Sequence, residues 1–135
     1  MREIKFRGLT DIDTWSYGYL HHADNGGELD SEELAIGGCP VDSETVGQFT
    51  GFWDDGGKEI YEQDVLLISK GQESFTGEVK FHQGGWRIMG KAKRTRNLFE
   101  AFLNTHLISG LSNRNYRIEI IGNVPFSFFI KEILY

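Results

Sequence analysis

The chain has 135 residues, 39% of them hydrophobic and 13% aromatic, and a formal net charge of −6. That length suits one domain or two small lobes sharing a core, and the hydrophobic content excludes wholesale disorder. One cysteine, Cys39, excludes an internal disulfide, and no apolar run approaches the roughly 18 residues of a membrane span.

The start, Met1-Arg2-Glu3-Ile4-Lys5, lacks the apolar core of a secretion signal, so a reducing cytoplasm is expected. The charge is unevenly spread. Residues 1–90 carry 17 acids against seven Lys/Arg, a formal −10, whereas residues 91–135 carry three acids against seven, a formal +4. The basic part would attract a phosphate backbone and the acidic part would repel it. The same asymmetry could bring subunits together, or be nothing more than solvated charge.

Taken in chain order, Glu3 to Gly8 alternates polar and apolar residues, the period of a strand with one buried face. Trp15 to His22 is a second, aromatic strand-like run. Asp24-Asn25-Gly26-Gly27 reads as a turn, and Leu34-Ala35-Ile36 as a short strand ending in a loop at Gly37-Gly38-Cys39-Pro40. The central stretch, Val46 to Val65, reads as a strand, a tight reversal at Asp54-Asp55-Gly56-Gly57 and the approach to the next strand, Val65 to Ile68. Asp-Gly and Gly-Gly supply the backbone conformations such a reversal needs.

Phe75 to His82 alternates again, and after the turn Gln83-Gly84-Gly85 comes Trp86-Arg87-Ile88-Met89. The order of the Val65, Val79 and Trp86 strands predicts a meander. Between Thr95 and Ser109, Leu98, Phe99, Phe102, Leu103 and His106 recur at helical spacing, with Thr95 or Asn97 as a cap and Gly110 as a stop, so a helix is expected there. Tyr116 to Val124 reads as the last strand, and the tail 126–135 is apolar.

Three segments resemble the YopX family of phage and prophage proteins. Val46-Gly47-Gln48-Phe49-Thr50-Gly51, the turn after it and Gly57-Lys58-Glu59-Ile60-Tyr61-Glu62-Gln63-Asp64-Val65 are similar to the family's core motif. That motif is Val-Gly-Gln-Tyr-Thr-Gly, an Asp-x-x-Gly turn, then Gly-Lys-Glu-Ile-Tyr-Glu-Gly-Asp-Ile-Val. Arg2 to Arg7 resembles the N-terminal signature Arg-x-Ile-Lys-Phe-Arg, and Tyr116 to Val124, most specifically 117–123, the closing motif Glu-Val-Ile-Gly-Asn-Ile-Tyr. The chain departs from the pattern after Asn123, where Pro125-Phe126-Ser127-Phe128-Phe129-Ile130 stands in place of an Asn-Pro-Glu-Leu tail. The resemblance implies a bacterial host cell and brings no assigned activity. It makes Gly47, Gln48, Thr50, Gly51, Asp54, Gly57, Lys58, Ile60, Tyr61, Asp64, Gly122 and Asn123 structural motif residues.

For chemistry the residues offer little. Asp11, Asp13, Asp54, Asp55, Glu59, Glu62 and Asp64 are carboxylates, yet none stands in a calcium-loop register, and Asp54-Asp55-Gly56-Gly57 is explained by turn chemistry. Glu62 and Asp64, two apart in an extended segment, would point the same way and could serve a metal-dependent hydrolase, or merely guard a strand edge. His21 and His22 face opposite sides of a strand, His82 and His106 are isolated, and one cysteine makes no zinc site. No nucleophile elbow, phosphate loop or dinucleotide fingerprint is present, so no enzyme, cofactor or metal is expected.

Lys91, Lys93, Arg94 and Arg96, with Arg114 and Arg117, could track phosphates. Trp86 could stack on a base or, the commoner case, sit in the core. The expectation is therefore a mainly β (α+β) protein: a small curved sheet or SH3-like, partly open barrel with one helix in the C-terminal half. It forms a single domain over 1–135, with lobes at about 1–45 and 46–135 as the alternative division. Its expected role is a non-catalytic binding or assembly module that self-associates through its tail and binds an unknown protein partner. The alternative is a nucleic-acid-associated factor using residues 91–96.

Overall fold

The computed structural model describes residues 3–22, 33–92, 98–102 and 116–124. The fold is mainly β, built from several antiparallel sheets, and among the described residues no barrel closes. The chain divides into two compact units, residues 1–49 and 50–135, and passes from one to the other within a single strand.

In the first unit β1 (Phe6–Leu9) pairs antiparallel with β2 (Trp15–Gly18) and with the start of β6 (Gly47–Trp53). A three-stranded sheet, β3 (Leu20–His22), β4 (Leu34–Ile36) and β5 (Cys39–Val41), completes it. The single run expected at 15–22 is thus two strands. Gly18, at φ +142°, breaks it by a conformation open to glycine, so that β2 serves one sheet and β3 another. Gly37-Gly38 is a hairpin turn, and the expected loop beyond it is the edge strand β5, the one place in a sheet where Pro40 needs no ladder N–H. Leu9, Ala35, Ile36, Val41 and Phe49 are buried here, and the guanidinium of buried Arg7 lies 4.2 Å from the Trp15 ring centre.

The second unit holds the rest of β6, the short strand β7 (Glu59–Tyr61) and a five-stranded sheet. Its strands are β8 (Asp64–Lys70), β9 (Glu73–His82), β10 (Gly85–Ala92), β11 (Leu98–Phe102) and β12 (Arg117–Asn123), in the spatial order β11-β10-β9-β8-β12. The expected meander is there as β8-β9-β10. Leu66, Ile68, Val79, Trp86, Ile88 and Ile118 on one face pack with Ile60 into the core. By register the reverse face carries Thr76, Glu78, Lys80, Arg87, Met89, Arg117 and Glu119.

The expected helix is corrected. Leu98–Phe102 is a strand paired residue by residue with Lys91–Arg87 of β10; the rest of 95–109 lies outside the described residues. Helical spacing of apolar side chains is a weak prior. Here β10 offers a full row of main-chain partners, and Phe99 and Phe102 suit a pleated surface as well as a helix.

Two backbone features set the shape. Gly77 and Gly90 face each other across β9 and β10 on the core side. A Cβ on Gly90 would collide with the Thr76 carbonyl oxygen and stand 2.6 Å from Gly77 Cα, so the strands approach in a way only glycine permits. Gln63, where the family motif has glycine, holds φ +75° in the turn between β7 and β8, the third position of a type II turn.

Replacing Gly90 by Ala is expected to cost about 3 kcal/mol by overpacking against backbone. Gln63→Gly should gain about 1 kcal/mol by relieving a left-handed conformation. Urea melts of the two variants check both signs.

Candidate functional site

The Asp54–Gly57 reversal is a polar junction. Asp54 Oδ1 accepts the N–H of Gly56 at 2.9 Å and of Lys58 at 2.8 Å, which closes the turn on its own side chain. Its Oδ2 reaches 66 residues along the chain to accept Ile120 N–H at 3.2 Å. Asp55 works beside it: Oδ2 accepts Ile118 N–H at 2.7 Å, and Asp55 N–H donates to the Ile118 carbonyl at 3.0 Å. Ile118 and Ile120 belong to β12, an edge of the five-stranded sheet, so two carboxylates and one amide occupy main-chain groups that a further strand would otherwise take.

A cleft of about 440 Å³ opens at this junction, lined by Asp54, Asp55, Gly56, Lys58 and residues 117–120. Lys58 and the exposed Arg117 lie on its walls with Glu119. Its three carboxylates outnumber its two cations, which disfavours an anionic ligand. Asp11 and Asp13 line a separate groove of about 510 Å³ in the first unit, with Glu33 and Asp42. Among the described residues no three His, Cys, Asp or Glu side chains gather closely enough to hold a metal ion.

The remaining motif residues are structural in placement. Thr50, buried, donates its hydroxyl to the Ile60 carbonyl at 2.8 Å and accepts Phe52 N–H at 3.2 Å. Ile60 and Tyr61 are buried, and Asp64 Oδ2 accepts Tyr61 N–H at 2.8 Å. Gly47 and Gln48 pair with Arg7 and Phe6, while Gly122 and Asn123 pair with Val65 and Asp64. Gly51 lies within β6 and Gly57 closes the turn.

The extended spacing expected of Glu62 and Asp64 is not found. Glu62 and Gln63 make a turn, where the two-residue alternation of a strand does not apply, and Asp64 is 1% exposed, committed to the Tyr61 amide. His21, His22 and His82 are exposed, with His21 Nδ1 2.9 Å from the carbonyl oxygen of adjacent His22; His106 lies outside the described residues. Trp86 is buried in the core, which removes it as a stacking platform.

Of the expected basic patch, Lys91 is in β10 and Arg117 in β12. Their strands stand three places apart in the sheet, about 14 Å at ordinary strand spacing. Lys93, Arg94, Arg96 and Arg114 lie outside the described residues, as does the tail 126–135.

Sequence reasoning missed Glu78. It lies on β9, 8% exposed, with Lys80 Nζ 3.9 Å from its Oε2. Burial pushes its carboxyl above the usual range, the Lys80 charge opposes this, and the Glu62 charge adds to it. The only hint in the sequence was an acid inside an alternating strand.

Fold and junction together define a β module whose acidic motif residues serve main-chain amides. The chain belongs to the YopX family: the family model, described as YopX protein, matches residues 5–125. No curated protein matches it. Among the described residues no helix is long and apolar enough to cross a membrane.

Asp54→Ala should cost about 3 kcal/mol, because it strands three amides at once, and Asp55→Ala about half as much. In both variants hydrogen exchange at the Ile118 and Ile120 amides should accelerate more than exchange in β9.

Proposed function

We propose that this YopX-family chain is a phage or prophage accessory protein, a non-catalytic binding or assembly module that self-associates in the cytoplasm of a bacterial host cell. The observation that supports it best is the unequal treatment of the sheet's two edges. The outer side of β12 is occupied by Asp54 and Asp55, whereas among the described residues no strand lies beyond β11. The β11 sequence, Leu-Phe-Glu-Ala-Phe, carries one charge and neither lysine nor proline, the residues that usually keep an edge from pairing. A second copy laid antiparallel along it would form a closed twofold pair. Of the Glu62 and Asp64 carboxylates a hydrolase would use, Asp64 already accepts a main-chain N–H, as do Asp54 and Asp55 at the junction, which favours a binding role over catalysis.

The second reading is contact with nucleic acid. By register Lys80, Arg87 and Arg117 share the reverse face, but so do Glu78 and Glu119, and the near balance of charge makes this the weaker reading.

Light scattering on the full chain, with and without short DNA or RNA at two salt concentrations, separates the two. The assembly reading expects a defined multimer indifferent to nucleic acid. Leu98→Lys with Phe102→Lys, both in β11, should reduce it to monomers with the circular dichroism spectrum retained. Removing residues 126–135 tests whether the apolar tail contributes to the same contact. A monomeric full chain, or a multimer indifferent to the β11 substitutions, overturns pairing through this edge. A salt-sensitive mass increase with DNA or RNA, lost on replacing Lys91, Lys93, Arg94 and Arg96 by Ala, establishes the second reading in its place.

A further inference from the structure

We propose that Asp55–Gly56 is an isoaspartate-forming site gated by strand β12, closed while Ile118 is docked on Asp55 and open once β12 leaves. An aspartate followed by glycine is readily attacked by its own main chain, because no Cβ shields the following nitrogen. The chain holds one Asp-Gly pair, and both of its residues are exposed in the β6–β7 reversal. The fold does not need glycine at this position. Gly57 sits at φ +82°, in the left-handed region, but Gly56 does not, and a Cβ on Gly56 would meet only Asp54 Oδ1, at 3.4 Å.

The reaction needs no reagent but water. The Gly56 nitrogen attacks Asp55 Cγ: a C–N bond forms, the Cγ–OH bond breaks, and the proton from nitrogen leaves with that hydroxyl as water. The five-membered succinimide so formed takes up water at either carbonyl. Opening at the Asp55 main-chain carbonyl leaves the peptide joined through Cγ, with no net change in atoms. The product has one more carbon in its main chain and its free carboxylate on Cα.

The junction holds the two reacting groups apart. Gly56 N–H donates to Asp54 Oδ1 at 2.9 Å, so the nitrogen that must act as nucleophile keeps its proton on a fixed acceptor. Asp55 Oδ2 accepts Ile118 N–H at 2.7 Å, and Asp55 N–H donates to the Ile118 carbonyl at 3.0 Å. Side chain and main chain of Asp55 are both tied to β12, and Cγ reaches the Gly56 nitrogen only by releasing Ile118. Asp54 is tied to the same strand, through Ile120 N–H on its Oδ2 at 3.2 Å. Departure of β12 therefore frees the electrophile and loosens the residue that restrains the nucleophile. The change is one-way, because the inserted carbon displaces the carboxylate from Ile118 and the junction cannot re-form as it was.

The test is to incubate the full chain at neutral pH in buffer and in rising urea, and to read isoaspartate at residue 55 by electron-transfer fragmentation of its peptides. Site resolution separates it from Asn25–Gly26, the chain's Asn-Gly pair, which yields the same product. The reaction should be slow in buffer and about tenfold faster once the Ile118 amide exchanges freely, the factor for losing one charge-assisted hydrogen bond. Asp54→Ala should give a similar gain without urea. That variant also weakens the fold, so in the wild type the rate should rise with Ile118 exchange in urea below the global transition seen by circular dichroism. Gly56→Ala should keep the native spectrum and suppress the reaction in urea. The isomerised fraction, isolated and returned to buffer, should exchange faster at Ile118 than the unreacted chain. Equal rates in buffer and urea, acceleration only on global unfolding, or an isomerised chain with unaltered protection at Ile118 overturns the proposal.

Discussion

The second unit depends on two adjacent carboxylates holding a strand that arrives more than 60 residues later. Asp54 and Asp55 join the β6–β7 reversal to Ile118 and Ile120 of β12. β12 leaves the order of the meander and returns beside β8, the first of its strands, a connection whose closure entropy must be offset by contacts at the end of the journey. Ile118 provides part of that through burial, at 1% exposed. The carboxylates supply the rest, because a charged acceptor on a main-chain N–H is among the stronger hydrogen bonds a protein makes. The junction also explains why these residues are poor candidates for chemistry. A lone pair already engaged with a fixed amide is not available to a metal or a proton in transit without first undoing the fold.

How much of this could be read from the sequence follows from the range of each interaction. Strands at Phe75–His82 and Trp86–Met89, the turns between them and the reversal at Asp54–Gly57 were legible because period-two alternation and turn residues are local signals. The misreadings are cases where a distant partner or one backbone angle decided the outcome. Leu98–Phe102 has helical spacing but becomes a strand because β10 needs a neighbour. Trp15–His22 reads as one strand but is cut at Gly18. Cys39–Val41 looks like loop and is an edge strand because β4 lies beside it. Glu62 and Asp64 were placed on one side by the strand rule, which fails where the chain turns. No local pattern could have paired Asp55 with Ile118.

Formal charge also misleads unless it is assigned to tasks. The acidic excess of residues 1–90 suggests an electronegative surface, yet several of those acids are structural. Asp42 caps the short 3-10 turn Ser43–Thr45 by accepting Glu44 N–H at 3.1 Å. Asp54, Asp55 and Asp64 each hold at least one further amide. A carboxylate so engaged still contributes to the long-range field but has little freedom to reorganise around a ligand. The reverse face of the five-stranded sheet is similarly mixed, with Glu78 and Glu119 set among Lys80, Arg87 and Arg117. A surface of that kind supports selective pairing with a complementary face better than it supports general adhesion to phosphate.

Asp64 and Glu78 show what distinguishes a carboxyl that builds the fold from one that responds to conditions. Both lie within the same sheet, at 1% and 8% exposure. Asp64 sits at the start of β8 with a short bond from the Tyr61 amide, so the backbone that buries it also solvates it. Glu78 lies mid-strand, where the neighbouring amides are already spent on the ladder, and its cation stands beyond hydrogen-bond distance. Burial raises the pKa of such a carboxyl, the Lys80 charge opposes this, and the like charge of Glu62 on the adjoining turn adds to it. The position of an acid along its strand, at an end where amides point outward or in the middle where they do not, thus decides whether it pins the structure or makes it sensitive to pH.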